Sequence, residues 1–177
     1  MTQALAALIE ENGFAGVTVA DIVRRAQVNR GTFYLHFTDK FDMLSKVEQA
    51  LLERYTALMV TNTDAAHTGG GIVQDAAILR LLTELQHDGL IIHALLLADG
   101  DAHFMHHAEL MLGDVLHLDV VASHSQLPTA YARAVALSSV MAIVRTWIRA
   151  GFAETPETIR DYINLARNIA PSALVQR

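Results

Sequence analysis

Between Asp21 and Phe37 the sequence reads DIVRRAQVNRGTFYLHF, gathering three arginines, a threonine, a tyrosine and a histidine. These side chains share one chemistry. A guanidinium presents a rigid fork of donors that can pair bidentately with the O6 and N7 atoms of guanine. Hydroxyl, imidazole and ammonium groups donate to phosphate oxygens, which positions a protein on a duplex without reading its sequence. Arg30 is the candidate for the guanine pair, and Gly31 would let the backbone come close. Thr32 offers a methyl to thymine or a hydroxyl to phosphate. Tyr34, His36 and Lys40 have the reach for phosphate, and Thr18 and Lys40 stand where helices begin, among free N–H groups. Charge is distributed accordingly. The chain carries a formal net charge of −6, yet the five cations and five anions of residues 1–46 sum to zero, so the whole −6 falls on the remaining 131 residues. A polyanion can approach the first segment and is repelled by the rest.

Short helices must hold these groups. Leu5, Leu8 and Ile9 recur at helical spacing up to Gly13, a natural C-terminal stop. Thr18 and Asp21 form a capping-box pattern, with the acid in place of the usual glutamate. The helix they open turns Ile22, Val23 and Ala26 inward and Arg24 and Arg25 outward. A tight break follows at Gln27-Val28. Asn29 then caps a second short helix with Phe33 and Phe37 on one face. Asp39 and Asp42 repeat the capping pattern before a long helix with Phe41, Leu44, Val47 and Leu51 on its apolar side. Two short helices joined by a tight turn form a helix-turn-helix, whose second helix enters the major groove. Spacing alone also fits an ordinary helical hairpin with a solvated basic face.

Residues 62–71, NTDAAHTGGG, read as a loop. Further helices are expected at about 72–87, 90–98, 101–123, 128–150 and 156–169, the last opened by Thr155 as cap and Pro156 at the first helical position. No strand pattern competes. The expected architecture is all-α with about nine helices: an N-terminal three-helix helix-turn-helix domain over 1–46 and a C-terminal helical domain over 47–177.

Composition bounds the rest. With 52% hydrophobic residues and few glycines and prolines, the chain has a globular composition. It has no cysteine, which removes disulfides and thiolate metal sites and suits a reducing compartment. The run LIIHALLLA at 90–98 falls short of the roughly 20 residues that span a bilayer. The opening MTQALAALIEENG lacks the basic start of a signal peptide. A cytoplasmic protein without a membrane partner is expected. No nucleophile elbow, Walker loop or HExxH motif is present, so no enzyme is expected.

The segment TVADIVRRAQVNRGTFYLHFTDKFDML, residues 18–44, resembles the DNA-binding signature of the TetR family of transcriptional repressors. The likeness lies in the capped second helix, in the recognition helix GTFYLHF and in the Asp-Lys start of the fourth helix. It implies DNA contacts from Thr18, Arg30, Gly31, Thr32, Tyr34, His36 and Lys40. It implies a homodimer on a palindromic double-stranded operator, with a second domain that dimerises through its last two helices and binds a small-molecule effector. No cofactor is implied. The chain departs from the family pattern twice. Met1 already lies inside the first helix, where members usually begin with a short basic arm, which implies a truncated start or weaker affinity. Gln27 stands where the turn usually holds glycine, and a positive φ there would cost on the order of 1 kcal/mol.

For the second domain the dimer stripe expected along 128–150 is Ala134, Val135, Ser138, Met141, Ala142 and Arg145. Eight of the nine histidines lie between positions 67 and 124. His103, His106 and His107 share one helical face and could hold a transition metal with Asp99, Asp101 or Glu109 as a further ligand. Without cysteine or a family metal motif, no metal is expected. An organic effector pocket is preferred, with His103, Phe104, His107 and Trp147 as candidate lining. The competing function is a TetR-like ligand-binding or protein-interaction module that has lost specific DNA binding, suggested by the acidic balance and the absent arm.

Overall fold

The first helix, α1 (Thr2–Gly16), buries Leu5, Ala6, Leu8 and Ile9 as its apolar spacing requires. Gly13 sits at φ 66°, ψ 156°, and the chain then resumes helical turns to Gly16, so the expected stop is a kink. A positive φ is easy for glycine. Phe14 packs on the core just beyond it, which draws the chain back into one more turn. The computed structural model describes residues 1–60, 72–98, 102–115 and 127–168, and every regular element among them is helical.

Two seven-residue helices follow, α2 (Val19–Arg25) and α3 (Arg30–His36), then the 21-residue α4 (Lys40–Val60). Met43, Val47, Leu51 and Tyr55 of α4 recur every fourth position and are buried, while Leu44 packs partly on the core. Phe41 does not join them. It is 64% exposed, its ring meeting Phe14 edge-on at 5.4 Å, so the buried stripe starts at Met43 and not where the sequence pattern put it. The boundary expected at 46/47 falls inside α4.

Next come α5 (Ile72–His87) and α6 (Gly89–His93). Residues Ala94–Ala98 continue α6 as a wider π-helical turn, where a single regular helix was expected over 90–98. The remaining elements are α7 (Ala102–Val115), α8 (Thr129–Arg149) and α9 (Pro156–Asn168). The expected loop at 62–71, the expected helical residues 116–123 and residue 169 lie outside the described residues.

One apolar cluster runs from Leu5, Ile22 and Phe33 through Tyr55 and Ile92 to Trp147 and Ile163. α1 lies against α6 and the π turn, α9 against α8 and α5, and α4 against α5 and α7. Polar links brace these contacts. Glu10 of α1 pairs with His93 of α6. The buried Tyr55 hydroxyl donates to Asp88 at 2.7 Å, and Arg54 pairs with the same carboxylate, tying α4 to the α5–α6 joint. Burial pushes the Tyr55 hydroxyl pKa up, so it stays a donor.

Candidate nucleic-acid interface

The α2 N-terminus carries the expected capping box. Asp21 N–H donates to Thr18 Oγ1 at 3.2 Å, while Thr18 donates through its N–H at 3.2 Å and its hydroxyl at 2.6 Å to Asp21 Oδ2. These Thr18 bonds, with Arg24 at 2.5 Å, hold the Asp21 carboxyl below its ordinary pKa. At the other end of α2, Gln27 N–H bonds Arg24 O at 3.3 Å and Val28 N–H bonds Val23 O at 3.0 Å. This is a Schellman arrangement with Gln27 at the left-handed position, φ 55°. The side chain there is exposed. Gln27→Gly should therefore raise the unfolding free energy by about 1 kcal/mol, less the extra chain entropy of glycine. Thermal denaturation checks it, and a lower midpoint would mean that Gln27 makes a stabilising contact.

α3 starts where Asn29 Oδ1 accepts from Thr32 N–H at 2.7 Å and Thr32 Oγ1 at 3.1 Å. A Cβ on Gly31 would stand 3.1 Å from that same oxygen, so glycine also keeps the cap undisturbed. Phe33 anchors the helix. It is 0% exposed, with the rings of Phe37 and Tyr34 at 5.3 and 5.4 Å. The outward side chains follow from this anchor. Arg30, Tyr34 and His36 are exposed and Thr32 is partly buried. The Arg30 guanidinium lies 5.9 Å from the centre of the Tyr34 ring and reaches its hydroxyl at 3.4 Å, a weak bond that leaves the fork able to re-aim.

The neighbouring cations are engaged elsewhere. Arg24 pairs with Asp21, Arg25 with Glu11 at 2.6 Å, and Lys46 with Asp42 at 3.0 Å and with the His36 carbonyl at 2.9 Å. Lys40 is placed differently from the phosphate-facing position expected of it. Its ammonium donates to the carbonyls of Phe14, Ala15 and Val17 at 2.9, 3.1 and 2.9 Å, which occupies all three of its donors and caps the end of α1. Among the side-chain cations of residues 1–46, Arg30 is the one whose bonds involve neither a carboxylate nor a carbonyl. Sequence reasoning passed over Leu35, which is 82% exposed on α3. Its position four residues after Gly31, away from Phe33, was the available signal.

Beyond α6, the candidate effector residues His103 and Phe104 belong to α7, with side chains outside what is described. His107 is exposed, its ring 6.1 Å from that of His106. Among the described residues no group of three metal-ligating side chains occurs. Trp147 is buried and donates its indole N–H to Glu154 O at 2.9 Å. It backs an open groove of about 260 Å³ between α8 and α9, with Ile143, Glu154, Ile159 and Tyr162. Of the expected dimer stripe, Ala134, Val135, Ser138 and Ala142 are exposed. Met141 is buried, and Arg145 is partly covered and pairs with Glu109 at 3.5 Å, so those two turn inward. Tyr131, Tyr162 and Leu165 extend the exposed face, which is more aromatic than the stripe read from sequence. No helix among the described residues is long and apolar enough to cross a membrane.

Comparison with known proteins gives a consistent picture. Residues 2–47 match the family model described as bacterial regulatory proteins, tetR family. The chain is 32% identical over 85 residues to the transcriptional regulator AcuR of Cereibacter sphaeroides, covering 48% of this chain and 36% of that protein. It is 32% identical over 59 residues to the uncharacterized HTH-type transcriptional regulator YxbF of Bacillus subtilis, covering 33% of this chain and 14% of that one. The matches thus span well under two thirds of the length of these curated relatives. The fold resembles that of the fatty acid degradation regulator FadR from Bacillus halodurans, with a TM-score of 0.65 at 16% identity over 96% of this chain and 97% of that one. It also resembles a TetR-family transcriptional regulator from Syntrophomonas wolfei, with a TM-score of 0.58 at 15% identity over 96% and 94%. At such identities the likeness concerns the fold alone.

Proposed function

We propose, from the match of residues 2–47 to the family model of bacterial regulatory proteins, tetR family, that the chain is a TetR-family, ligand-responsive, dimeric, DNA-binding transcriptional regulator. In this reading it acts as a repressor that a small-molecule effector releases from its operator. The observation that carries it is Arg30: an exposed guanidinium without a carboxylate partner, on a helix pinned to the core by Phe33. Thr18, Gly31, Thr32, Tyr34 and His36 complete the proposed contact surface, and Lys40 supports it by holding α1 against the start of α4. The exposed apolar face of α8 and α9 suits a two-fold interface. Such an interface would set two recognition helices on half-sites roughly 34–36 Å apart. An effector acts by binding better to the state in which those helices are misplaced.

Measuring binding to the DNA upstream of its own gene at two salt concentrations tests the proposal. Tight, salt-sensitive, sequence-dependent binding is expected. Equal indifference to every duplex at low salt would instead leave a ligand-binding or protein-interaction module. Arg30→Ala should weaken the preferred sequence by about 1–3 kcal/mol and relax choice at one base pair. A uniform loss across all sequences would reassign Arg30 to the phosphates.

A further inference from the structure

Helical geometry sorts the surface of α3 into three strips. At about 100° per residue, Leu35 stands about 200° around the helix from the buried Phe33, and Gly31 lies within about 40° of Leu35. Arg30 and Tyr34 form one flank, stacked on each other, and Thr32 and His36 form the other. The crest between the flanks is therefore Gly31, which has no side chain, followed by Leu35. That leucine is 82% exposed, the most exposed large apolar side chain among the described residues. The core makes no use of it, because Phe33 and Phe37 already fill the inward side.

A crest residue meets the floor of a groove directly, while flank residues approach it from the sides. The apolar feature on the floor of the major groove is the C5-methyl of thymine. We propose that Leu35 is a specificity-determining residue that packs its isobutyl group against a thymine methyl, one in each half-site. The assignment rests on the DNA-binding function proposed above. It adds an apolar element of base choice to the hydrogen-bonded one supplied by Arg30. Gly31 fits the same role, since the absence of a Cβ beside Leu35 lets the crest come down to the bases.

The test removes one methyl at a time. In a duplex bound by the full chain, each thymine is replaced singly by deoxyuridine, and the affinities of the unaltered protein and of Leu35→Ala are compared. At one thymine per half-site, the unaltered protein should bind the uracil duplex about three- to fivefold more weakly. Leu35→Ala should bind the two duplexes equally, and Leu35→Met, which keeps the apolar reach, should retain the preference. Because Leu35 is exposed, all three proteins should melt alike. Indifference of the unaltered protein to every thymine methyl would overturn the assignment. So would undiminished sensitivity in Leu35→Ala, which would transfer the methyl contact to Thr32. Absence of any salt-sensitive duplex binding would overturn the DNA-binding function and this assignment together, a result distinct from both others.

Discussion

Phe33→Ala is expected to destabilise the protein by about 3–5 kcal/mol, the range for emptying a fully buried aromatic site. For a chain of this size that corresponds to a thermal midpoint lower by roughly 10 °C. The side chain is 0% exposed and meets Phe37 and Tyr34 ring to ring, so its removal leaves a void beneath α3. A seven-residue helix cannot persist without tertiary support, because isolated helices under ~12 residues are marginal in water. The Asn29 cap contributes only about 1 kcal/mol and cannot substitute for the anchor. Duplex affinity should fall with the docking of α3. Circular dichroism melts with parallel binding measurements would check both expectations. An unchanged midpoint would show that α3 is held by its caps and not by its core face.

Lys40→Met should lower stability by about 2 kcal/mol, or roughly 5 °C, while leaving the salt dependence of DNA binding unchanged. The thioether preserves the apolar stem and removes the ammonium that holds three carbonyl oxygens at the end of α1. The Phe14 carbonyl keeps the Val17 N–H at 3.2 Å, so the loss is that of the charge-assisted bonds at the negative end of a helix. The ammonium also lies 4.8 and 5.3 Å from the Phe14 and Phe41 ring centres, a further attraction that methionine lacks. A phosphate-binding lysine behaves differently: removing it flattens the slope of affinity against salt by about one unit and spares stability. Melting and salt titration of one variant therefore separate the roles, and a flattened slope with an unchanged midpoint would return Lys40 to the DNA surface.

Much of the N-terminal site was legible from local spacing. The Thr18–Asp21 box, the tight break at Gln27-Val28, the Asn29 cap and the inward Phe33 each depend on partners within a few positions. The start of α9 at Pro156 was readable for the same reason. Phe41 was misplaced because apolar character marks a helix face only after the neighbouring element is known. Here Met43 meets the core and Phe41 meets only the edge of Phe14. In α8, Met141 and Arg145 lie close to the exposed strip but fall on its inner side, where α7 supplies Glu109.

By itself the sequence determined the all-helical architecture, the caps and turn of the helix-turn-helix, and the set of donors offered by α3. All of these follow from hydrogen bonds closed over three to five residues and from a 3.6-residue apolar period. Only the tertiary structure decided which cations remain available and which apolar residues stay outside. Lys40 finds carbonyls 23 to 26 positions away, Arg25 finds Glu11 across fourteen, and Leu35 finds no neighbour to cover it. Side chains separated that far along the chain meet only through packing, and packing is a property of the whole fold.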